Sequence, residues 1–485
     1  MTLLDPALWS GKAGIGGWTV PAGGTAPIVE PATGEVLDVI GLATAEDVAT
    51  AAERAARAQS SWARVPYPDR AAVLRRAGDL FTEHAAEIQR WLIREAGSIP
   101  GKAAFETSVA AQECYEAAAL VSHPLGEILP TAEPRLSLTR RVPAGVVGVI
   151  APFNAPLILG IRSVAPALAL GNTVLLKPDV RTAVSGGVVI KRVFQEAGLP
   201  EDTLHLLPGG ADTGSALVLA PQVRVISFTG STAAGRKVGA AAAENLKRAH
   251  LELGGNSALI VLPDADLEKA ASTAAWGSFF HQGQICMTTG RHLVHASVAD
   301  EYVARLAEKA ARLPVGNPDK EEVALGPIID AAQRDKIHAL VTASVESGAR
   351  LAAGGTYEDL FYRPTVLADV TDAAPAYAEE VFGPVAPVRS FTDVEEAITL
   401  ATATPYGLSL GILTGDGLRG LELAERIPTG IVHINDQTVN DEAVAPFGGV
   451  GASGTGARFG GTSNIEAFTE TRWITARSTQ ATYPF

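Results

Sequence analysis

Two side chains in this sequence have the types and surroundings that covalent chemistry needs. Cys286 lies in FFHQGQICMTTGR, Phe279 to Arg291, and is one of only two cysteines in the chain. Glu252 lies in LELGGN, thirty-four positions earlier. A lone cysteine is most often a buried core thiol. The neighbours of Cys286 are instead polar or turn-forming: Gly283, Gln284, Thr288, Thr289 and Gly290. That leaves a nucleophilic thiolate open as a second reading. A Cys–His hydrolase pairing with His281 is conceivable, although no feature marks His281 as the base. Metal binding needs more ligands than this stretch holds. Glu252 could be a surface carboxylate at a strand end. Its apolar and glycine neighbours argue for partial burial, which raises a carboxylate's pKa and suits a general base near neutral pH.

Asn154 in NAP and Lys177 in KPDVR each follow a short apolar run. An amide donor and an ammonium there can meet a carbonyl oxygen, a ribose or a phosphate. No G-x-G-x-x-G follows a strand pattern, so the usual dinucleotide fingerprint is missing. GSTAAGRK, Gly230 to Lys237, imitates a P-loop, but Arg236 follows its second glycine where Lys and Ser/Thr are required. What remains is a strand, VRVISF, a glycine turn and a helix. The N–H groups at that helix start, with the Ser231 hydroxyl, can face a phosphate. An ordinary strand-to-helix turn explains the same residues.

The apolar pattern supplies the elements that must position these groups. TAEDVATAAERAARAQSSWARV opens with a capping-box pattern, Thr44 to Asp47. Leu74, Leu80, Ile88 and Leu92 recur at helical intervals. Leu136 to Gly145 alternates apolar and polar residues, which predicts a half-exposed strand or arm. From Val146, the short runs VVGVI, NTVLLK, LHLLPG and VRVISF alternate with helical segments, one of them TAVSGGVVIKRVFQEAGLP. That predicts βαβ units and a parallel sheet buried on both faces, with ligands beyond the strands' carboxyl ends. A second αβ series follows AHLELGGNSALIVLP and runs to about Phe447, so Glu252 and Cys286 flank the junction of two α/β bodies. The tail FTETRWITARSTQATYPF again reads as strand and is expected to pair with the arm at Leu136.

Composition narrows the function. Net charge is −14, which disfavours a nucleic-acid partner. The start, MTLLDPALWSGK, lacks the basic and apolar regions of a secretory signal. AGVVGVIAPFNAPLILGI is broken by Pro152, Asn154 and Pro156, so no membrane span is expected. Two cysteines are too few for a disulfide framework and predict a reduced, cytoplasmic protein.

Taken together and in order, the motifs resemble the aldehyde dehydrogenase superfamily. The resemblance rests on PFN at Pro152–Asn154, LLKPD at Leu175–Asp179, FTGST at Phe228–Thr232, LELGGN at Leu251–Asn256 and GQIC at Gly283–Cys286. EEVFGPV at Glu379–Val385, PYGLS at Pro405–Ser409 and PFGGVGASG at Pro446–Gly454 complete it. KPDVRT and HINDQTVNDE resemble the benzaldehyde and vanillin dehydrogenase branch. The resemblance implies two doubly wound α/β domains plus a small β oligomerisation arm. It puts the cofactor-binding domain at 1–122 and 144–254, the catalytic domain at 255–450, and the arm and tail at 123–143 and 466–485. A homodimer or homotetramer is implied.

The same resemblance assigns roles. Cys286 attacks the aldehyde, the Asn154 amide and the Cys286 N–H hold the oxyanion, and Glu252 activates water to release a carboxylic acid. Relatives that pass the acyl group to coenzyme A typically lack that glutamate. Lys177, also counted in the catalytic set, falls to the adenosine ribose and Glu380 to the nicotinamide ribose, Phe382 lines the nicotinamide site and Ser231 meets the pyrophosphate; Phe153, Gly230, Gly209, Val180 and Arg181 complete the cofactor-binding set. Phe153 stands where a tryptophan is usual. Val180 stands where many NAD-preferring relatives carry glutamate, so both NAD and NADP are expected to be usable. Ala155, Leu159, Arg162, Ile285, Met287, Gln437, Thr438, Val439 and Phe447 are expected around the substrate, with Arg162 and Thr438 meeting a phenolic or methoxy group. Arg162 facing solvent or pairing with an acid is the competing reading. An aromatic aldehyde is the expected substrate. The alternatives are an aliphatic or semialdehyde substrate, a cofactor-independent cysteine esterase, or a non-enzymatic protein that keeps the fold.

Overall fold

The computed structural model describes residues 2–485. Its frame is two seven-stranded sheets. In the first, Arg248–Glu252, Val223–Thr229, Val146–Ile150, Thr173–Lys177 and Leu204–Leu206 lie side by side and parallel, in that spatial order. The antiparallel strands Ala13–Ile15 and Gly17–Thr19 finish one edge. In the second, the parallel strands Thr365–Ala368, Val385–Phe391, Thr289–His295, Ser257–Val261, Ser409–Leu413 and Ile431–Ile434 follow one another across the sheet. Arg350–Ala353 pairs antiparallel at its edge.

Continuous apolar runs make these strands because both faces are covered. Val174 and Leu176 point into one helical layer, and Leu175 between them points into the other. The second sheet divides in the same way, with Ile260 in one core layer and Leu259 and Val261 in the other. Thr44 caps the helix Ala45–Trp62 by the reciprocal bonds its sequence predicts. Strand Leu136–Pro143 pairs antiparallel with Thr469–Ala476 along its whole length, so the expected arm-to-tail pairing is present. Among the described residues no helix is long and apolar enough to cross a membrane.

Two helical readings change. The periodic stretch through Leu74 and Leu92 is two helices, Tyr67–Glu83 and Ala85–Ala96, broken at His84. The segment after Lys177 is not one helix. It begins with a tight turn at Val180–Thr182, widens into a π-helix at Val184–Val188, and becomes α-helical only at Val189–Glu196. Buried Glu95 explains the distortion, because its carboxylate takes the Val184 and Ser185 N–H groups at 2.8 and 2.7 Å. Gly186 and Gly187 let that turn press against Pro156 and Pro178, where Cβ atoms would stand 3.0 and 2.9 Å from proline carbons. The long helix Pro100–Leu120 lies against both Tyr67–Glu83 and Pro156–Ala169 and places its residues beside the loop that carries Asn154.

Candidate active site

Chain order reverses direction in the first sheet at strand Val146–Ile150, whose neighbours are Thr173–Lys177 on one side and Val223–Thr229 on the other. Loops leaving such a pair diverge and open a crevice. Here they are Pro152–Asn154 and Gly230–Ser231. They line a cavity of about 170 Å³ together with Cys286, Glu380 and Phe382. Ser231 caps the helix Thr232–Glu244 by accepting from the Ala234 N–H, and no acidic residue occupies that helix's first turn. The positive helix end therefore stays available to an anion.

The opposite wall comes from the junction of the sheets. Glu252 ends one sheet, and Ser257 begins the next. Gly254 and Gly255 lie between them because other atoms need their space. A Cβ on Gly255 would stand 2.3 Å from the Cys286 carbonyl oxygen, and one on Gly254 would stand 2.3 Å from the Glu380 carboxylate. The Gly255 N–H donates to Glu380 at 2.9 Å. Cys286 follows a turn in which His281 and Gln282 hold φ values of 50° and 56°. Such left-handed backbone is costly without glycine. It is held in place by Gln282, which donates to the Gly97 and Pro327 carbonyls at 3.1 and 2.8 Å, and by Gln284, which accepts from the Ile329 N–H at 3.1 Å.

Burial sets the electrostatics. Glu252 is 2% exposed, and neither carboxylate oxygen has a hydrogen-bond partner. Desolvation raises its pKa well above the ordinary carboxylate range, against the pull of the Arg162 and Arg458 charges. Cys286 is half-buried on the cleft. Burial, then the Glu380 and Glu252 carboxylates, push its thiol up to about 12, while Arg162 opposes them. The Cys286 sulfur thus rests as a protonated thiol. Glu380 is also raised by burial, opposed by the Gly255 N–H and Lys336. Lys177 is lowered by burial against the charge of Asp179.

A second cavity, of about 380 Å³, lies on the other side of the nucleophile. Its volume falls within the range of small-molecule sites. Ile285 and Met287, which flank Cys286, line it with Ala155, Gln437 and Val439. Phe105, Trp276 and Phe280 supply an aromatic wall that the motifs did not reveal. Trp276 stacks on Phe280 with ring centroids 4.5 Å apart and planes 12° from parallel. One helical turn separates them just before Cys286, a spacing visible in a chain that is only 6% aromatic. Gln333 and Lys336 in the first cavity were likewise missed; they come from the helix Ala331–Glu346, which no motif marks.

Four residues expected at the substrate do not line this second cavity. Leu159 lines the first cavity. Arg162, Thr438 and Phe447 lie behind the wall of the second. Thr438 is fully buried, with its hydroxyl bonded to the Met287 carbonyl at 2.7 Å and the Thr289 hydroxyl at 2.8 Å. It holds the Met287–Thr289 segment that follows Cys286, and its buried hydroxyl does not reach the second cavity. Phe447 packs on Met287 and Leu408. The Arg162 guanidinium covers its ring at 4.4 Å and pairs with Asp441, so the acid-pairing reading of Arg162 replaces the solvent-facing one. Burial works against the Arg162 charge, and Asp441, Glu113 and Glu252 more than restore it.

On the cofactor side, Arg181 lies over the Phe153 ring at 4.2 Å and bonds Asp179 and Asp330. Val180 is half-buried at the start of its turn. Gly209 is buried against Thr213, where a Cβ would meet the hydroxyl at 2.1 Å, and it does not border the first cavity.

A parallel sheet that reverses its chain order, a cysteine and a buried carboxylate on either side of a glycine pair, and an open helix start beside them are the arrangement of a nucleotide-dependent oxidoreductase. Residues 18–474 match the aldehyde dehydrogenase family, and the chain belongs to it. It is 70% identical to a vanillin dehydrogenase of an Amycolatopsis species over the full length of both chains. It is 49% identical to the benzaldehyde dehydrogenase [NAD(+)] of Pseudomonas putida over 99% of each. A salicylaldehyde dehydrogenase from Pseudomonas putida G7, solved in complex with salicylaldehyde, superposes with a TM-score of 0.94 at 36% identity, covering 98% of this chain and 99% of that one.

The burial of Glu252, only partly offset by the Arg162 and Arg458 charges, has a consequence for stability. The folded protein holds this proton more tightly than the unfolded chain, so the penalty is absent below the unfolded pKa and grows as pH rises through the folded one. Glu252→Gln removes it. The variant is expected to melt above the parent at pH 9 and level with it at pH 4.5, as read by differential scanning calorimetry.

Proposed function

We propose that this protein oxidises aromatic aldehydes, namely benzaldehyde and its ring-hydroxylated and methoxylated forms such as vanillin, to carboxylic acids with NAD or NADP. The observation that carries this reading is the flat aromatic wall of Phe105, Trp276 and Phe280 in the cavity that reaches Ile285 and Met287 beside Cys286. Aromatic rings pair with planar rings in stacked or edge-on geometry, and such pairs stabilise by about 0.5–1.5 kcal/mol beyond area burial. The names of the similar vanillin, benzaldehyde and salicylaldehyde dehydrogenases support the same substrate class.

Cys286 sulfur bonds the aldehyde carbon while its proton is released to solvent, the one proton that the overall oxidation sets free. The carbonyl oxygen becomes an oxyanion between the Asn154 amide and the Cys286 backbone N–H, an arrangement that stabilises developing charge by about 2.7–4 kcal/mol per donor. Bound NAD(P) supplies the acceptor for the hydride of that carbon. Glu252 then takes a proton from water as the water oxygen attacks the acyl carbon. The carbon–sulfur bond breaks, and the carboxylic acid leaves with the thiol restored.

The residues fit the cofactor. Lys177 spends one donor on the Pro178 carbonyl and keeps others for ribose hydroxyls. Glu380 uses one oxygen on Gly255 and keeps an acceptor. Val180 offers no carboxylate to repel a 2′-phosphate. The Arg181 charge is spent on Asp179 and Asp330, so it gives that phosphate little new attraction. We read residues 1–122 with 144–254 as the cofactor-binding domain, 255–450 as the catalytic domain, and 123–143 with 466–485 as an arm for a homodimer or homotetramer. Two free cysteines fit a reducing, cytoplasmic setting.

Two measurements test the reading. With a panel of benzaldehyde, vanillin, hydroxybenzaldehydes and short aliphatic aldehydes, aromatic members are expected to give the highest kcat/KM. Cys286→Ala should abolish turnover while keeping cofactor affinity. Equal rates on aliphatic aldehydes, ester cleavage with no cofactor-dependent aldehyde oxidation, or retained turnover in Cys286→Ala would each contradict it. With vanillin fixed, NAD is expected to exceed NADP in kcat/KM by about tenfold, roughly 1.4 kcal/mol of binding difference. Strict rejection of NADP would contradict the account of Val180.

A further inference from the structure

Asn154 is assigned the delicate task of meeting a charge that exists only during reaction, yet nothing holds its side chain directly. Among the described residues its amide makes no hydrogen bond. Its segment, between strand Val146–Ile150 and helix Pro156–Ala169, has no regular structure. The helix that follows also lacks a cap of its own: Ala155 supplies no side-chain acceptor, and Pro156 has no N–H. Both needs are met from another element.

Lys102 and Glu106 stand one turn apart on the helix Pro100–Leu120, both buried, and form an ion pair. The Lys102 ammonium donates to the Asn154 backbone carbonyl at 2.8 Å. The Glu106 carboxylate accepts from the Leu157 N–H at 3.1 Å and the Ile158 N–H at 3.4 Å, which replaces the missing cap. Two charges of opposite sign therefore grip the segment at Asn154 and just beyond it. His281, from the nucleophile's own loop, closes on the same group. Its ring is fully buried, and burial first, then the Lys102 charge, push its pKa well below the ordinary imidazole value, with the Asn154 backbone acting in the opposite direction. Lys102 and Glu106 also border the aromatic cavity, whereas Asn154 borders the other one, so the pair stands between the two.

We propose that Lys102 and Glu106 are positioning residues for the oxyanion: their buried pair aims the Asn154 amide at the place where negative charge develops on the carbonyl oxygen. The inference rests on the reading of Asn154 as the oxyanion donor. Two of the three Lys102 donors are directed to the Glu106 carboxylate and the Asn154 carbonyl, and it is through Asn154 that the pair acts on the reaction.

The test is a double-mutant cycle on the intact enzyme with vanillin and NAD. Asn154→Ala alone is expected to lower kcat by about 10²–10³, the usual loss for one oxyanion donor. Lys102→Met is expected to lower kcat about 10–100-fold with KM changed less than about threefold, the pattern of an interaction made only in the transition state. Lys102→Met combined with Asn154→Ala should be no slower than Asn154→Ala alone. Removing one member of a buried pair strands the other. Lys102→Met/Glu106→Gln, which strands no charge and keeps an acceptor for the Leu157 N–H, therefore carries the same cycle where Lys102→Met fails to fold. Ethylammonium, entering by the aromatic cavity, should restore part of kcat to Lys102→Ala and none to Lys102→Ala/Asn154→Ala. Losses that multiply in the Asn154→Ala background would overturn the positioning role and leave the oxyanion reading intact. A rise in KM with kcat unchanged would overturn it too, by placing Lys102 on the substrate. Full activity in Asn154→Ala would remove the oxyanion reading itself, and the proposal with it.

Discussion

The site depends on a close approach at one junction. Four residues, Leu253 to Asn256, carry the chain from the last strand of one sheet to the first strand of the next. Within them Gly254 and Gly255 leave room for the Glu380 carboxylate and the Cys286 carbonyl, where any Cβ would overlap oxygen atoms. That contact brings the carboxyl edge of one sheet against the amino edge of the other. Without it Cys286, Glu252 and Glu380 would belong to separate bodies. With it they share one dry wall, and the shared dryness sets their proton affinities.

The enzyme manages the charges that this burial creates in two ways. Lys102 with Glu106 and Arg162 with Asp441 are paired, and their partners are fixed in the fold. Glu252 is left without a hydrogen-bond partner. A carboxylate buried this way costs stability and gains basicity, which is the property the proposed role of Glu252 uses. Cys286 follows the same logic in the opposite sense. Burial and the Glu380 and Glu252 carboxylates raise its pKa, so the sulfur rests as a thiol.

Much of this was legible in the sequence for physical reasons. Parallel strands buried on both faces must be continuous apolar runs, so VVGVI, NTVLLK and VRVISF declare the first sheet. Close approach demands glycine, so LELGGN declares the junction. Other features were hidden. The π-helical turn at Val184–Val188 is imposed by Glu95, nearly ninety residues away, and its local sequence reads as an ordinary helix. Lys102 and Glu106 have the spacing of a solvent-exposed helical ion pair; only packing against the Asn154 segment makes them a clamp. Thr438 looks like a pocket residue because Gln437 and Val439 on either side are in the pocket, but alternation turns its side chain the other way, toward Met287 and Thr289. Position along a loop locates a neighbourhood, while side-chain direction is decided by contacts far off in sequence.

The central claim is that Cys286 carries the acyl group and Glu252 releases it. The most direct measurement is intact-protein mass spectrometry of Glu252→Gln after mixing with vanillin and NAD, followed by peptide mapping. The account predicts one vanilloyl group per chain, bound to Cys286, formed with a single equivalent of NADH and then hydrolysed far more slowly than in the parent. Sustained turnover without an adduct, or an acyl group found on Cys114 instead, would contradict it.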